Sequence, residues 1–126
     1  MTDNKKTVLI VEDERSLRRA LVDKFNHEGF NVLEAKDGSE GLDIALKNHP
    51  DIILLDIIMP VMDGISMVEK LRMDAWGKTA GVIILTNLSD GQQMLDSMKN
   101  GVFEYLVKSN WKIQDVVTKV KQRIQP

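Results

Sequence analysis

Five short apolar runs rich in β-branched residues recur along the chain, Thr7 to Val11, Asn31 to Ala35, Ile52 to Leu55, Val82 to Thr86 and Val102 to Val107, each followed by a stretch with helical spacing. No other feature restricts the fold as strongly. Val8-Leu9-Ile10-Val11 and Ile52-Ile53-Leu54-Leu55 show no polar alternation, so both faces of these strands must be covered, as in a parallel sheet. Between the runs, Leu17, Ala20, Leu21 and Phe25 recur at intervals of three and four, and Gly29 supplies a helix stop. Asp37 and Glu40 form a capping pair ahead of Leu42, Ala45 and Leu46, with Pro50 blocking continuation. Asp63-Gly64 opens a third helix around Ile65, Val68 and Leu71. Ser89 and Gln92 cap a fourth around Met94, Leu95 and Met98, closed by Asn100-Gly101, and Ile113, Val116, Val117, Val120 and Ile124 mark a fifth. Strict alternation with short connections predicts a doubly wound α/β fold, a five-stranded parallel sheet with five helices on its two faces.

The chain has 126 residues, room for one domain over 1–126 with a core that needs no staples. Without cysteine there is no disulfide framework and no thiolate zinc site, and His27 and His49 lack metal-ligand spacing. The 17 basic and 19 acidic residues are scattered, which argues against direct nucleic-acid binding. No apolar run approaches the ~20 residues of a membrane span or forms a signal-peptide core, so a cytoplasmic protein is expected.

Chemistry gathers where the strands end. Asp56 closes the third run and Glu12-Asp13 the first. In a flavodoxin-like strand order, 2-1-3-4-5, the first and third strands are neighbours, and a crevice opens at their carboxyl ends. Three carboxylates there repel one another unless a cation lies between them. Hard oxygen donors without His or Cys suit Mg²⁺, or Mn²⁺ in its place. Asp56, alone at its strand end, is the better nucleophile toward phosphorus, and Glu12 and Asp13 are suited to holding the ion. Thr86 and Lys108 close the fourth and fifth runs and supply a hydroxyl and an ammonium for phosphoryl oxygens.

The ordered set Glu12-Asp13, Asp56 within Leu55-Asp56-Ile57-Ile58-Met59-Pro60, Asp63-Gly64, Thr86 and Lys108 resembles the receiver domain of bacterial response regulators. The resemblance spans nearly the whole chain. It implies a phosphoacceptor Asp56, a Mg²⁺ ion held by Glu12, Asp13, Asp56 and the backbone carbonyl of Ile58, and phosphoryl contacts from Thr86 and Lys108. It also implies a switch in which the ring of Tyr105 turns inward as Thr86 moves, altering the face made by the fourth helix, fifth strand and fifth helix. The implied partners are a sensor histidine kinase or histidine phosphotransfer protein upstream, and a downstream protein or an output domain outside this sequence. A phosphorylation-dependent homodimer is compatible with that scheme. Such a domain is a signalling phosphoacceptor with self-catalysed phosphorylation and dephosphorylation only, not an enzyme acting on other molecules.

Three positions depart from the family pattern. Ser109 follows Lys108 where proline is common, so a trans bond is expected there, a cis bond without proline costing roughly 2.5 to 4 kcal/mol. Asn87 stands where a small residue is frequent and narrows access to the phosphoryl group, which alters dephosphorylation. Ile58 puts an apolar side chain at the site entrance that cannot position an attacking water, which favours slow hydrolysis.

Other readings compete with these residues taken singly. Asp13 as a cap of the first helix, Asp56 as a strand-end residue bonding loop amides, and Lys108 and Thr86 as ordinary strand-end residues are the plain ones. Met94, Leu95 and Met98 read as helix packing that can also adapt to a partner. Rival functions are a haloacid-dehalogenase-like Mg²⁺-dependent phosphatase, a nucleotide or flavin binder, and a receiver-like scaffold without phosphoryl transfer. The phosphatase typically carries a second Asp two residues after its nucleophile, where this chain has Ile58, and no Gly-rich phosphate loop follows the first strand.

Overall fold

The computed structural model describes residues 5–56, 64–86, 104–107 and 112–124, with Thr86 and 104–107 entering through their backbone alone. The elements are β1 (Thr7–Val11), α1 (Arg15–His27), β2 (Asn31–Ala35), α2 (Gly38–Asn48), β3 (Ile52–Asp56), α3 (Gly64–Leu71), a 3-10 turn (Gly77–Thr79), β4 (Val82–Thr86), β5 (Glu104–Val107) and α4 (Ile113–Ile124). The helix expected around Met94 to Met98 lies outside the described residues, so α4 is the fifth helix of the sequence reading. The strands run parallel in the order β2-β1-β3-β4-β5, as expected.

Each unalternating strand feeds two separate cores. Leu9, Val11, Ile53, Leu55, Val82 and Ile84 pack with Ala45 of α2 and with Met67, Val68 and Leu71 of α3. Val8, Ile10, Ile52, Leu54, Ile83 and Leu85 pack with Leu21 and Phe25 of α1 and with Val116, Val117 and Val120 of α4. Burying each large aliphatic or aromatic side chain contributes about 1.5–3 kcal/mol, which is why apolar residues fill both strand faces.

Local sequence sets the helix ends. Gly29, at φ 93°, follows the C-cap of α1, and the amides of Gly29 and Phe30 donate to Asn26 O and Phe25 O, both at 3.1 Å. This pair of bonds closes the helix as a Schellman motif, and the accompanying apolar contact is Phe25 against Phe30, edge to face at 5.3 Å. At the start of α2, Asp37 Oδ1 accepts from the Glu40 amide at 2.8 Å, and Glu40 Oε1 accepts from the Lys36 amide at 2.9 Å. The connection from α3 to β4 is held by Arg72, whose Nη1 donates to Gly77 O and Ala80 O, each at 2.7 Å. Desolvation by burial lowers the Arg72 pKa from its ordinary value. Trp76, to which the sequence assigns no role, packs on the α2/α3 core and stacks on His49 with ring centroids 4.3 Å apart.

Candidate functional site

The pairing of β1 with β3 ends at Val11 opposite Leu55, so the residues that follow these two, Glu12 just past β1 and Asp56 at the end of β3, reach the same carboxyl edge of the sheet. Glu12 is 1% exposed and Asp56 6%, whereas Asp13 is exposed. One carboxylate oxygen from each of Glu12, Asp13 and Asp56 lies within 4.8 Å of the other two. Residues far apart in sequence therefore converge as expected. At an effective dielectric of ~20, two unit charges at that separation repel by about 3 kcal/mol, less where Asp13 meets water. A cation among them reverses the sign of that interaction.

The donor set fits a hard divalent ion. All three donors are carboxylate oxygens. Mg²⁺ binds oxygen at roughly 2.0–2.1 Å, so ligands across it stand about 4 Å apart, compatible with this cluster. Its octahedral shell leaves positions for water and a phosphoryl oxygen.

Asp13 does not cap the first helix. The N-cap of α1 is Glu14, without a side-chain capping bond, so the Asp13 carboxylate belongs to the acidic cluster. The Glu14 amide is met by Glu12 Oε2 at 3.1 Å. Glu12 is fixed further: its amide donates to Ala35 O of β2 at 3.1 Å, and its carbonyl accepts from Arg18 Nη1 at 2.9 Å. Arg18 Nε in turn donates to Glu34 Oε1 at 3.1 Å. Arg18 and Glu34 escaped the sequence reading, because their partners lie on other elements and no spacing rule announces such a contact. With Arg15 and Arg19 they line an open groove beside the site.

Thr86 closes β4 with its backbone in register with Val107, and Tyr105 is in register with Ile84, which puts Thr86 at the carboxyl edge beside β3 and β5. Ile58, Asn87 and Lys108, with the Lys108–Ser109 bond, lie outside the described residues. Among the described residues no helix is long and apolar enough to cross a membrane.

Comparison with known proteins agrees with the geometry. Residues 8–121 match the response regulator receiver domain family. Among curated proteins, the probable transcriptional regulator ycf27 of Porphyridium aerugineum is 35% identical over 104 residues, 82% of this chain and 42% of that protein. Among solved structures, the response regulator TrrA of Thermotoga maritima, determined in complex with Mg(2+)-BeF, is 31% identical with a TM-score of 0.81, covering 93% of this chain and 97% of that one. The chemotaxis protein CheY4 of Vibrio cholerae, 28% identical, has a TM-score of 0.84 over 94% of this chain and 98% of its own. The chain spans about half the length of the curated relatives it matches. Receiver domains are signalling modules of two-component systems, and response regulators interact with histidine kinases and downstream effectors. With a match that runs through every described strand, this chain belongs to the response regulator receiver domain family.

Proposed function

We propose that Asp56 accepts a phosphoryl group from a phosphohistidine on a sensor kinase or phosphotransfer protein, and that the modified domain signals by changing its surface. The observation that carries this reading is the convergence of Glu12, Asp13 and Asp56 at the open carboxyl edge of the sheet. In the transfer, an Asp56 carboxylate oxygen bonds to phosphorus as the bond from phosphorus to the donor imidazole nitrogen breaks, and the imidazole leaves with a proton. Mg²⁺ or Mn²⁺, when bound there, would supply charge neutralisation for the phosphoryl oxygens.

This chain's own residues do the rest. Glu12, Asp13 and Asp56 would hold the ion, with the Ile58 carbonyl as a further ligand, and Asp56 stands at the end of β3. Thr86 and Lys108 contact the phosphoryl oxygens, and Tyr105 follows Thr86 in the switch. Ile58 offers no group to position an attacking water, and Asn87 modulates access to the phosphoryl group. A coupling of about 1 to 3 kcal/mol between phosphorylation and the switched surface suffices to shift the population. The downstream target is a protein or an output domain, reached from a cytoplasmic location, with a phosphorylation-dependent dimer as one form of output.

Intact-mass measurement after incubation with acetyl phosphate tests the reading. A single phosphoryl adduct that needs Mg²⁺ and is missing in Asp56→Asn is expected. An adduct that persists in Asp56→Asn, or turnover of acetyl phosphate with no Asp56 adduct, overturns it.

A further inference from the structure

The peptide group joining Glu12 to Asp13 presents its carbonyl at the point where pairing of β1 with β3 stops. Arg18 takes that carbonyl at 2.9 Å while its Nε holds Glu34 Oε1 at 3.1 Å, so the guanidinium spans from β2 to the turn that carries two of the three carboxylates. Its side chain is 18% exposed, and α1 holds its backbone through Arg18 N–H to Glu14 O at 2.9 Å. The plane of that one peptide fixes where the Asp13 side chain departs.

A lone cation this close to a cation site would weaken ion binding by repulsion, so electrostatics alone gives no reason for an arginine here. A planar fork that grips two acceptors on different elements does give one. We propose that Arg18, anchored by Glu34, is a positioning residue that holds the Glu12–Asp13 turn in the geometry required for divalent-ion binding. The inference rests on the metal-dependent reading above and adds to it a residue that does not touch the ion. Groups that orient metal ligands without binding the metal commonly change affinity when removed.

The two effects of Arg18 have opposite signs, which makes the test sharp. Mg²⁺ affinity is measured by calorimetric titration for the parent, Arg18→Met, Arg18→Lys and Asp13→Asn, with circular dichroism to establish folding. Arg18→Met is expected to weaken Mg²⁺ binding by about 3- to 10-fold, at or below the low end of the range for outer-shell partners. Arg18→Lys, with one compact donor in place of a fork, is expected to fall between that variant and the parent, about 2-fold weaker. A folded Arg18→Met that binds Mg²⁺ as tightly as the parent, or more tightly, overturns the proposal. Should Arg18→Met not fold, an Arg18→Lys affinity equal to the parent's overturns it instead. If the parent shows no Mg²⁺ binding that Asp13→Asn removes, the ion site itself is wrong and both readings fall.

Discussion

Lys121 Nζ donates to Glu28 Oε1 at 2.7 Å, joining α4 to the end of α1 across 93 positions of sequence. Lys24, one turn back on α1, approaches the other oxygen of the same carboxylate at 3.3 Å. The hydrogen bond from Lys121, then that from Lys24, hold the Glu28 pKa below the ordinary glutamate value of 4.5. Because the folded value is the lower one, the native state favours the ionised carboxylate. The resulting stabilisation is complete above the ordinary value and is lost as pH falls through the lowered one. Melting curves of the parent and Glu28→Gln are therefore expected to differ at neutral pH and to converge in acid. Added salt should shrink the neutral-pH difference, since these groups are only partly buried.

The acidic cluster predicts a substitution whose sign depends on metal. Without divalent ions, Asp13→Asn removes a like charge from a group of three within 4.8 Å and should raise stability by on the order of 1 kcal/mol. With Mg²⁺ present the parent gains binding energy that the variant lacks, and the order of melting temperatures should narrow or invert. Thermal melts with EDTA and with excess Mg²⁺ check both halves.

Asp37 is the N-cap of α2 and satisfies the Glu40 amide at 2.8 Å. Asp37→Ala leaves that amide without its side-chain acceptor and should cost about 1 kcal/mol. The urea midpoint is expected to fall with an unchanged m-value.

Two glycines should respond differently to alanine. A Cβ on Gly77 would stand 2.0 Å from the Leu71 carbonyl oxygen, which is backbone and cannot swing aside. Gly29 has open space around its Cβ position but a φ of +93°. Gly29→Ala should cost about 1–2 kcal/mol from the left-handed backbone, and Gly77→Ala roughly 3 kcal/mol or more from displaced main chain. Denaturant midpoints of the two variants rank them.

Much of this architecture can be read from residue order, because strands buried on both faces leave unbroken apolar runs and helices packed on one side leave spaced ones. β1, β2 and β4 have the bounds expected. β3 runs one residue further, to Asp56, because a carboxylate ends the apolar pattern but not the backbone pairing, which continues opposite Leu85. The convergence of Glu12, Asp13 and Asp56 was legible for a related reason: a charged residue directly after an apolar strand is conspicuous. The 3-10 turn at Gly77–Thr79 and the Arg72 bonds to Gly77 and Ala80 were not legible, since one short turn has no periodicity. Asp13 shows the limit of local rules. Asp is a frequent helix cap, but here Glu14 takes that position, and the carboxylate of Asp13 lies instead near that of Asp56, a residue 43 positions away on another strand (56 − 13 = 43).

The division of the interior into two half-cores has a practical corollary. Neighbours such as Leu54 and Leu55 face different helix pairs, so repacking at one of them disturbs α1 and α4 and at the other α2 and α3. The domain behaves as a laminate: either ply can be rebuilt while the opposite one keeps its own seating on the shared sheet.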